Sequence, residues 1–204
     1  MAKRIVIPGE VLTSERKRLG QHVFIRDGKI VADCLGIFIP EAPVASVIPL
    51  KGRYVPKEND VIVGIVVEEK FAGYVVDINS FYYSFVLKEG IRQNLKRGAI
   101  ISAKVANVNE VNGVELTNVR ILPKGGEIIS VVPVKVPRII GKNASMLKVL
   151  KEGSGSQMIV GKNGWIWVRG GNIPLLEKAI RKIEEEAHLS NLTNKIANMF
   201  KEKR

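Results

Sequence analysis

The sequence predicts a multidomain, mostly β protein: an N-terminal β-module, a five-stranded OB-type barrel and an α/β C-terminal domain. Three observations predict this class. Short β-rich segments separated by turn signals come first, five longer β-rich segments follow, and the pattern then changes to mixed helix and strand. The predicted boundaries are 1–55, 56–125 and 126–204.

The N-terminal module is predicted from four short β-segments, which read RIVIP, HVFIR, KIVADCLGIFI and VASVIPL. Asp27-Gly28 lies between the second and third of them, and both residue types tolerate a positive φ. We therefore expect a two-residue β-hairpin there.

The barrel is predicted from the segments DVIVGIVVEE, GYVVDIN, YYSFVL, IISAKVANVN and VELTNVRIL. Asn112-Gly113 is expected to close the last hairpin of this series. A longer polar connection, KEGIRQNLKRG at 88–98, interrupts the series. Five strands within about seventy residues suit a small closed barrel.

The C-terminal domain is predicted from EIISVVPVKV, SMLKVLKE, QMIV, WIWVR and IPLLEKAIRKIEEEAHL, in the order strand, helix, two strands and long helix. Four apolar residues of the long segment share one helical face: Ile173, Leu176, Ile180 and Ile183. Residues 184–186, all glutamate, are expected on its solvated face. A further amphipathic segment, LTNKIANMFKEKR, ends the sequence.

Composition narrows the class of protein. The 204 residues carry a formal charge of +12, which favours a polyanionic partner, although a basic surface can also serve only solubility. One cysteine, Cys34, excludes an internal disulfide and predicts no cysteine-based zinc site. The longest apolar runs have strand length, and the first ten residues do not resemble a signal peptide. We expect a cytoplasmic protein in a reducing compartment.

Two similar tetrapeptides stand twenty residues apart. GKNG at 161–164 lies between two strand patterns, so Asn163-Gly164 is expected to form a hairpin turn in which glycine has the positive φ. GKNA at 141–144 precedes a helical pattern, and the N-terminus of a helix attracts phosphate. GKNA is therefore the candidate phosphate-binding loop.

The segment PRIIGKN at 137–143, followed by Met146-Leu147, resembles the helix–GxxG–helix core of a KH domain. The surrounding order of strands and helices also resembles that family, whose loop clamps the backbone of about four nucleotides. The resemblance implies RNA contacts from Arg138, Gly141, Lys142 and Asn143. Ala144 replaces the last glycine of the motif, and this departure predicts weaker binding of phosphate by the loop.

The middle segments GRYVPKENDVIVGIV and EEKFAGYVVDIN resemble the S1-type OB fold. In that family two aromatic side chains on the second strand stack on bases, and Phe71 and Tyr74 match them. Strict alternation would place these two on opposite faces, so joint exposure requires a bulge, for which Gly73 is suited. Alternatively, one of them fills the barrel. Phe81, Tyr83 and Phe85 alternate and share one face, which could equally be core. Either Tyr82 or Tyr83 is expected to line the surface, and Tyr83 is a further candidate for RNA binding.

The polar connection at 88–98 borders the binding face in such folds. Its cations are expected to contact RNA phosphates and to make affinity dependent on salt. The alternative is an ordinary solvated loop. The candidates are Lys88, Arg92, Lys96 and Arg97.

The order of these modules is similar, across nearly the whole chain, to the RNA-binding cap subunit of the archaeal exosome. VIPGEVL at 6–12 resembles that family's N-terminal signature, and IVGKNGWIW at 159–167 resembles its modified KH hairpin. The resemblance implies a non-catalytic subunit that captures single-stranded RNA and delivers its 3′ end to a hexameric RNase-PH-like ring. About three copies, docked through their N-terminal modules, are implied by the family.

The residues independently favour no catalysis, and we expect neither a cofactor nor a metal ion. His22 and His188 have no neighbouring cysteine or paired carboxylate at a metal-binding spacing, and no nucleophile and base stand together. Asp77 is expected to cap a turn. The alternative function is a ribosome- or translation-associated RNA-binding protein, because S1 and KH modules also occur there.

Overall fold

The computed structural model describes residues 3–50, 52–89, 91, 94–186 and 191–201. Contacts divide the chain after Gly52 into two compact units, residues 1–52 and 53–204. Each unit is described by itself. None of the helices formed by the described residues is both long and apolar enough to span a membrane.

The first unit consists of short strands. They are β1 (Arg4–Val6), β2 (Val11–Thr13), β3 (Arg18–Leu19), β4 (Val23–Arg26), β5 (Lys29–Ala32), β6 (Gly36–Phe38), β7 (Val44–Ala45) and β8 (Val47–Pro49). Three small sheets form, in the orders β1-β6-β8, β2-β5-β4 and β3-β7. The predicted β4–β5 hairpin is confirmed, since Asp27 has φ 51° and Gly28 has φ 73°.

The β1-β6-β8 sheet has one core face and one exposed apolar face. Val6, Phe38 and Val47 pack into the core of the unit. Ile5 pairs with Ile37, which pairs with Ile48, so these three side chains share the opposite face. We call them the isoleucine row.

The second unit begins with the predicted five-stranded barrel, which is confirmed. Its strands are β9 (Val61–Glu69), β10 (Gly73–Asp77), β11 (Tyr83–Leu87), β12 (Ile100–Val108) and β13 (Gly113–Ile121). They close in the order β10-β11-β13-β12-β9, with β11 and β13 parallel and the other pairs antiparallel. Alternate residues point inward because side chains on a strand have a period of two.

The α/β region follows the predicted order of elements with one correction: the predicted strand EIISVVPVKV ends at Ser130, and residues 133–136 are helical, because Pro133 has no amide hydrogen to donate to a strand ladder. It contains β14 (Glu127–Ser130), α1 (Val136–Ile140), α2 (Ser145–Ser154), β15 (Gln157–Val160), β16 (Trp165–Arg169), α3 (Ile173–Glu185) and α4 (Leu192–Lys201). The three strands form a sheet in the order β14-β16-β15. Leu176, Ile180 and Ile183 of α3 are fully buried in the core shared with the other helices. The predicted apolar face is therefore the one that packs.

The expectation that Glu184 is solvated is wrong. Its side chain is 8% exposed and accepts a hydrogen bond of 2.8 Å from the Val132 amide. Arg181, one turn earlier, donates to its second oxygen at 3.1 Å. A buried carboxylate needs such partners, and one of them, the Val132 amide, lies 52 residues away in sequence.

The GKNG tetrapeptide forms the predicted turn between β15 and β16. Gly164 has φ 84°, and the Gly164 amide donates to the Gly161 carbonyl at 3.1 Å. The hairpin also reaches the barrel, because the Lys162 amide donates to the Val61 carbonyl at 2.9 Å. The turn therefore has a second role that its local sequence does not indicate.

Asn163 carries most of this contact between barrel and α/β region. Its side chain is completely buried and donates to the carbonyls of Val63 at 2.6 Å and Ile78 at 3.0 Å. Its Oδ1 accepts from the Val63 amide at 3.2 Å. In return, Asn79 donates to the Asn163 carbonyl at 3.0 Å. One side chain thus uses both ends of its amide to pair with the backbone of two barrel segments.

An ion pair between Lys162 and Asp60 lies beside Asn163. Asp60 is 5% exposed and accepts from Lys162 Nζ at 2.6 Å and from the Tyr54 hydroxyl at 2.8 Å. Burial, and secondly the hydrogen bond to Asp60, raises the pKa of Tyr54. An apolar cluster that includes Val63 and Trp167 completes the junction. Residues 53–204 are therefore joined by polar and apolar contacts.

Candidate nucleic-acid interface

Aromatic side chains cover the outside of the barrel at β11 and the turn before β10. In β11, Ser84 and Val86 point inward, so Tyr83 and Phe85 point outward. Phe71 is fully exposed, Phe81 is 77% exposed and Tyr83 is 51% exposed. We call Phe71, Phe81, Tyr83 and Phe85 the outer aromatic surface. Exposed rings of this kind can stack on nucleic-acid bases.

The expectation that Tyr74 is exposed together with Phe71 is wrong. Tyr74 is 1% exposed and belongs to the barrel core. Phe71 lies in the turn before β10, whereas Tyr74 is the second residue of that strand and points inward. The alternative, that one of the two side chains fills the barrel, is confirmed, and that side chain is Tyr74.

Gly73 does not form the expected bulge. The register irregularity between β9 and β10 occurs instead at Val75 and Val76. A Cβ on Gly73 would lie 2.0 Å from the Val86 carbonyl oxygen and 2.6 Å from the Phe85 ring. Glycine is needed at this position because the Val86 carbonyl and the Phe85 ring both pack directly against its backbone.

Two lysines lie near aromatic rings, one ring on the outer aromatic surface and the other in the barrel core. Lys70 Nζ lies 5.6 Å from the centroid of the Tyr83 ring, and Lys88 Nζ lies 5.5 Å from that of Tyr74. Lys88 also pairs with Glu69 at 2.9 Å. Contact with Tyr83 raises the pKa of Lys70, and the hydrogen bond to Glu69 raises that of Lys88. Both ammonium groups are therefore charged at neutral pH and can meet phosphates.

The other predicted cations of the connection are placed differently. Lys96 and Arg97 are exposed in a turn that precedes β12. Arg92 lies outside the described residues. The structure thus presents two exposed cations of this group next to the barrel and one, Lys88, in an ion pair.

The GKNA loop joins α1 to α2 and has an unusual backbone. Gly141, Asn143 and Ala144 have φ of 74°, 52° and 59°. Arg138, Lys142 and Asn143 are exposed, and no side chain caps the N-terminus of α2. Ala144 therefore adopts a left-handed conformation that glycine would adopt without strain.

Sequence reasoning missed some members of the surface. Arg53 stacks on Phe81 with 4.1 Å from its guanidinium carbon to the ring centroid. Phe85 and Tyr83 line a cleft of about 390 Å³ together with Asn107, Asn109 and Glu115. The alternation of Phe81, Tyr83 and Phe85 signalled a common face, but not whether that face was core or surface.

The remaining candidates for catalysis or metal binding are Asp77, His22 and His188. Asp77 accepts a hydrogen bond of 2.8 Å from the Asn79 amide, which confirms the predicted turn cap. The expectation that His22 has no cysteine or carboxylate nearby is wrong, because Asp33 and Cys34 lie beside it. His188 lies outside the described residues.

Comparison with known proteins gives consistent relatives. No protein-family model matches the chain. The exosome complex component Rrp4 of Pyrococcus furiosus is 37% identical over 97% of this chain and 83% of its own length. Rrp4 of Methanobrevibacter smithii is 37% identical over 96% of this chain and 70% of its own length. Rrp4 of Methanosarcina mazei is 36% identical over the whole of this chain and 84% of its own length.

A solved structure described as that of an exosome complex RNA-binding protein is also similar. It superimposes with a TM-score of 0.66 and 31% identity, over 75% of this chain and 98% of its own. Sequence and fold thus agree on the same group of relatives. The chain belongs to the family of archaeal exosome complex components named Rrp4.

Proposed function

We propose that the protein is a non-catalytic RNA-binding cap subunit of a cytoplasmic exosome. It captures single-stranded RNA and delivers the 3′ end to a hexameric RNase-PH-like ring. The observation that carries this proposal is the outer aromatic surface, where fully exposed Phe71 and half-exposed Tyr83 stand beside Lys70. The relatives, which are named as exosome components and as an exosome RNA-binding protein, support the same function.

The arrangement suits capture without sequence preference. Every base has a π-face, so stacking on Phe71 and Tyr83 would contribute about 1–3 kcal/mol per base whatever the sequence. Lys70, Lys96 and Arg97 would neutralise phosphates, and the net charge of +12 would attract RNA from a distance. Such binding holds RNA and leaves its cleavage to a partner.

The Asn163 contacts would make the capture surfaces act together. They join the barrel, which bears the aromatic rings, to the α/β region, which bears the GKNA loop. RNA bound at both places would be held by one rigid body, so the second contact would cost little further ordering entropy. The bound RNA strand would then run in one fixed direction across the two surfaces.

The two groups of cations should differ in their contribution. We expect Lys142→Ala to cost less RNA affinity than the double variant Lys96→Ala/Arg97→Ala, because the strained Ala144 weakens phosphate binding at the GKNA loop. Loss of two phosphate contacts should reduce the slope of log K against log salt by about 1.4. Titrations at several salt concentrations measure both quantities.

Lys124→Ala, at an exposed residue that follows the barrel, is the control for loss of one positive charge. The reverse ranking, with Lys142→Ala the more damaging, would show that the GKNA loop is a main RNA contact.

The isoleucine row is the proposed surface for docking onto the ring. Ile5 is 66% exposed and Ile48 is 46% exposed, and they flank Ile37 on one flat sheet face. Such a continuous apolar face is typical of a protein interface. Its partner would be an exosome subunit, because the relatives are named as components of that complex.

The double variant Ile5→Asp/Ile48→Asp should abolish assembly while RNA affinity stays unchanged. Burying two isoleucines contributes about 3 kcal/mol or more, so the ring affinity should fall by roughly 100-fold or more. Native mass spectrometry of complexes recovered from source cells through a tag measures the number of copies bound.

The control for assembly is Val111→Asp, since Val111 is 83% exposed in the barrel turn between β12 and β13. About three copies on a hexameric ring are expected for the parent chain and for this control. Recovery with ribosomal subunits, or recovery alone, would refute the cap function and favour a different RNA-binding role.

A further inference from the structure

Three potential metal ligands meet at one end of the β4–β5 hairpin in the N-terminal unit. Val23 pairs with Ala32 across the hairpin, so the chain places His22 opposite Asp33, and Cys34 follows directly. The Asp33 amide donates to the His22 carbonyl at 3.3 Å, which extends the pairing by one residue. Residues eleven positions apart are thereby held side by side.

The ligand atoms are close enough for one ion. His22 Nδ1 lies 3.2 Å from Asp33 Oδ1, and one ligand atom from each of the three residues lies within 4.8 Å of the others. In a tetrahedral zinc site the bond lengths require ligand atoms about 3.4–3.6 Å apart. The histidine and aspartate already approach this separation. A sulfur atom on a rotatable side chain needs to move by only about 1 Å.

We propose that His22, Asp33 and Cys34 form a binding site for a tetrahedral divalent metal ion of the zinc type. Imidazole nitrogen, carboxylate oxygen and thiolate sulfur are the ligands that Zn²⁺ takes in proteins. Three protein ligands leave the fourth position to water. Thiolate and imidazole together select against Mg²⁺ and Ca²⁺, which take oxygen ligands.

The environment suits an ion that enters from solvent. The side chains of His22 and Asp33 are 33% and 48% exposed, so the site is open on one side. Among the ion pairs of the described residues, Asp33 has only His22 as a partner, and no lysine or arginine occupies the carboxylate. The His22 ring already faces the carboxylate, since its Nδ1 lies 3.2 Å from Asp33 Oδ1.

Binding requires no electron transfer. The ion forms one bond each to Cys34 Sγ, His22 Nδ1 and an Asp33 oxygen, and the thiol proton passes to solvent. The imidazole remains neutral with its proton on Nε2. The bound ion would join both strands of the hairpin and would thereby stabilise the N-terminal unit.

Titration of the tag-free full-length chain with Co²⁺ tests this site. Cys34 is the only cysteine, so any thiolate-to-cobalt charge-transfer band must come from it. We expect one Co²⁺ per chain, with a charge-transfer band and the intense visible bands of tetrahedral cobalt. Zn²⁺ should displace the cobalt and abolish both signals.

Variants separate a three-ligand site from a single reactive thiol. Cys34→Ser should remove the charge-transfer band, and His22→Ala or Asp33→Asn should weaken binding by roughly 100-fold or more, as loss of a direct ligand exceeds the effect of an outer-shell change. Glu41→Gln and His188→Gln are the controls and should bind Co²⁺ as the parent does. Circular dichroism verifies that each variant is folded.

Two results would overturn the proposal. One is the absence of a charge-transfer band in the folded parent chain. The other is a band that persists in His22→Ala and Asp33→Asn, or that grows with protein concentration. Such a band would indicate a lone thiolate or an ion shared between two chains.

Discussion

Replacing Asn163 with alanine should destabilise residues 53–204 by about 3 kcal/mol or more. The side chain is fully buried and makes three hydrogen bonds to the barrel backbone, two to Val63 and one to Ile78. Removing a partner and leaving a buried polar group unpaired costs about 1–3 kcal/mol each. Alanine removes all three bonds and leaves the Val63 and Ile78 backbone groups without this partner.

Urea unfolding of the full chain measures this loss, and limited proteolysis shows where it acts. We expect new cleavage at the junction between barrel and α/β region, because the GKNG hairpin would detach first. The matched control is Asn143→Gly in the similar GKNA loop, where Asn143 is exposed and its φ of 52° suits glycine. Equal unfolding midpoints for parent and Asn163→Ala would refute the structural role of Asn163.

The same variant should affect RNA binding in a length-dependent way. A long single-stranded oligonucleotide that reaches both surfaces should lose affinity, because the two surfaces would no longer be held rigidly together. A short one that contacts only the barrel should bind as before, since Phe71 and Tyr83 belong to the barrel itself.

The double variant Phe71→Ala/Tyr83→Ala should weaken binding of single-stranded RNA by roughly 30-fold or more. Each ring can stack on one base, and each stack contributes about 1–3 kcal/mol. Both rings are exposed, so the substitutions leave the barrel core unchanged. Fluorescence anisotropy of a labelled oligouridine with the full chain measures the effect.

Two comparisons make this result specific. Tyr74→Phe keeps a buried ring in the barrel and should bind RNA like the parent chain. The salt dependence should stay unchanged in the double variant, because stacking neutralises no phosphate, whereas loss of Lys96 and Arg97 should reduce it. Unchanged affinity in the double variant would remove the outer aromatic surface from the proposed function.

Much of the fold could be predicted because it depends on local periodicity. Runs of β-rich residues identified the five barrel strands, the turn dipeptide Asp27-Gly28 identified a hairpin, and helical spacing identified the buried face of α3. Each of these signals is contained within a few neighbouring residues. The candidate site was predicted less completely, since exposure depends on which face of a strand the rest of the barrel covers.

The pair Phe71 and Tyr74 illustrates the limit. Their spacing predicted opposite faces, but only closure of the barrel decided that Tyr74 points inward and that Phe71, in the preceding turn, is fully exposed. Gly73 likewise looked suited to a bulge, whereas its lack of a Cβ accommodates the Val86 carbonyl and the Phe85 ring of the neighbouring strand.

By itself, the sequence determined the order of modules, the strand and helix faces and the turns, because these follow from interactions between near neighbours in the chain. Only the tertiary structure decided what Asn163 and His22 contact. Asn163 pairs with Val63, one hundred residues away, and His22 meets Cys34 only because β4 and β5 pair in one register. Such contacts depend on how separate elements pack, and no local pattern of residue types specifies that packing.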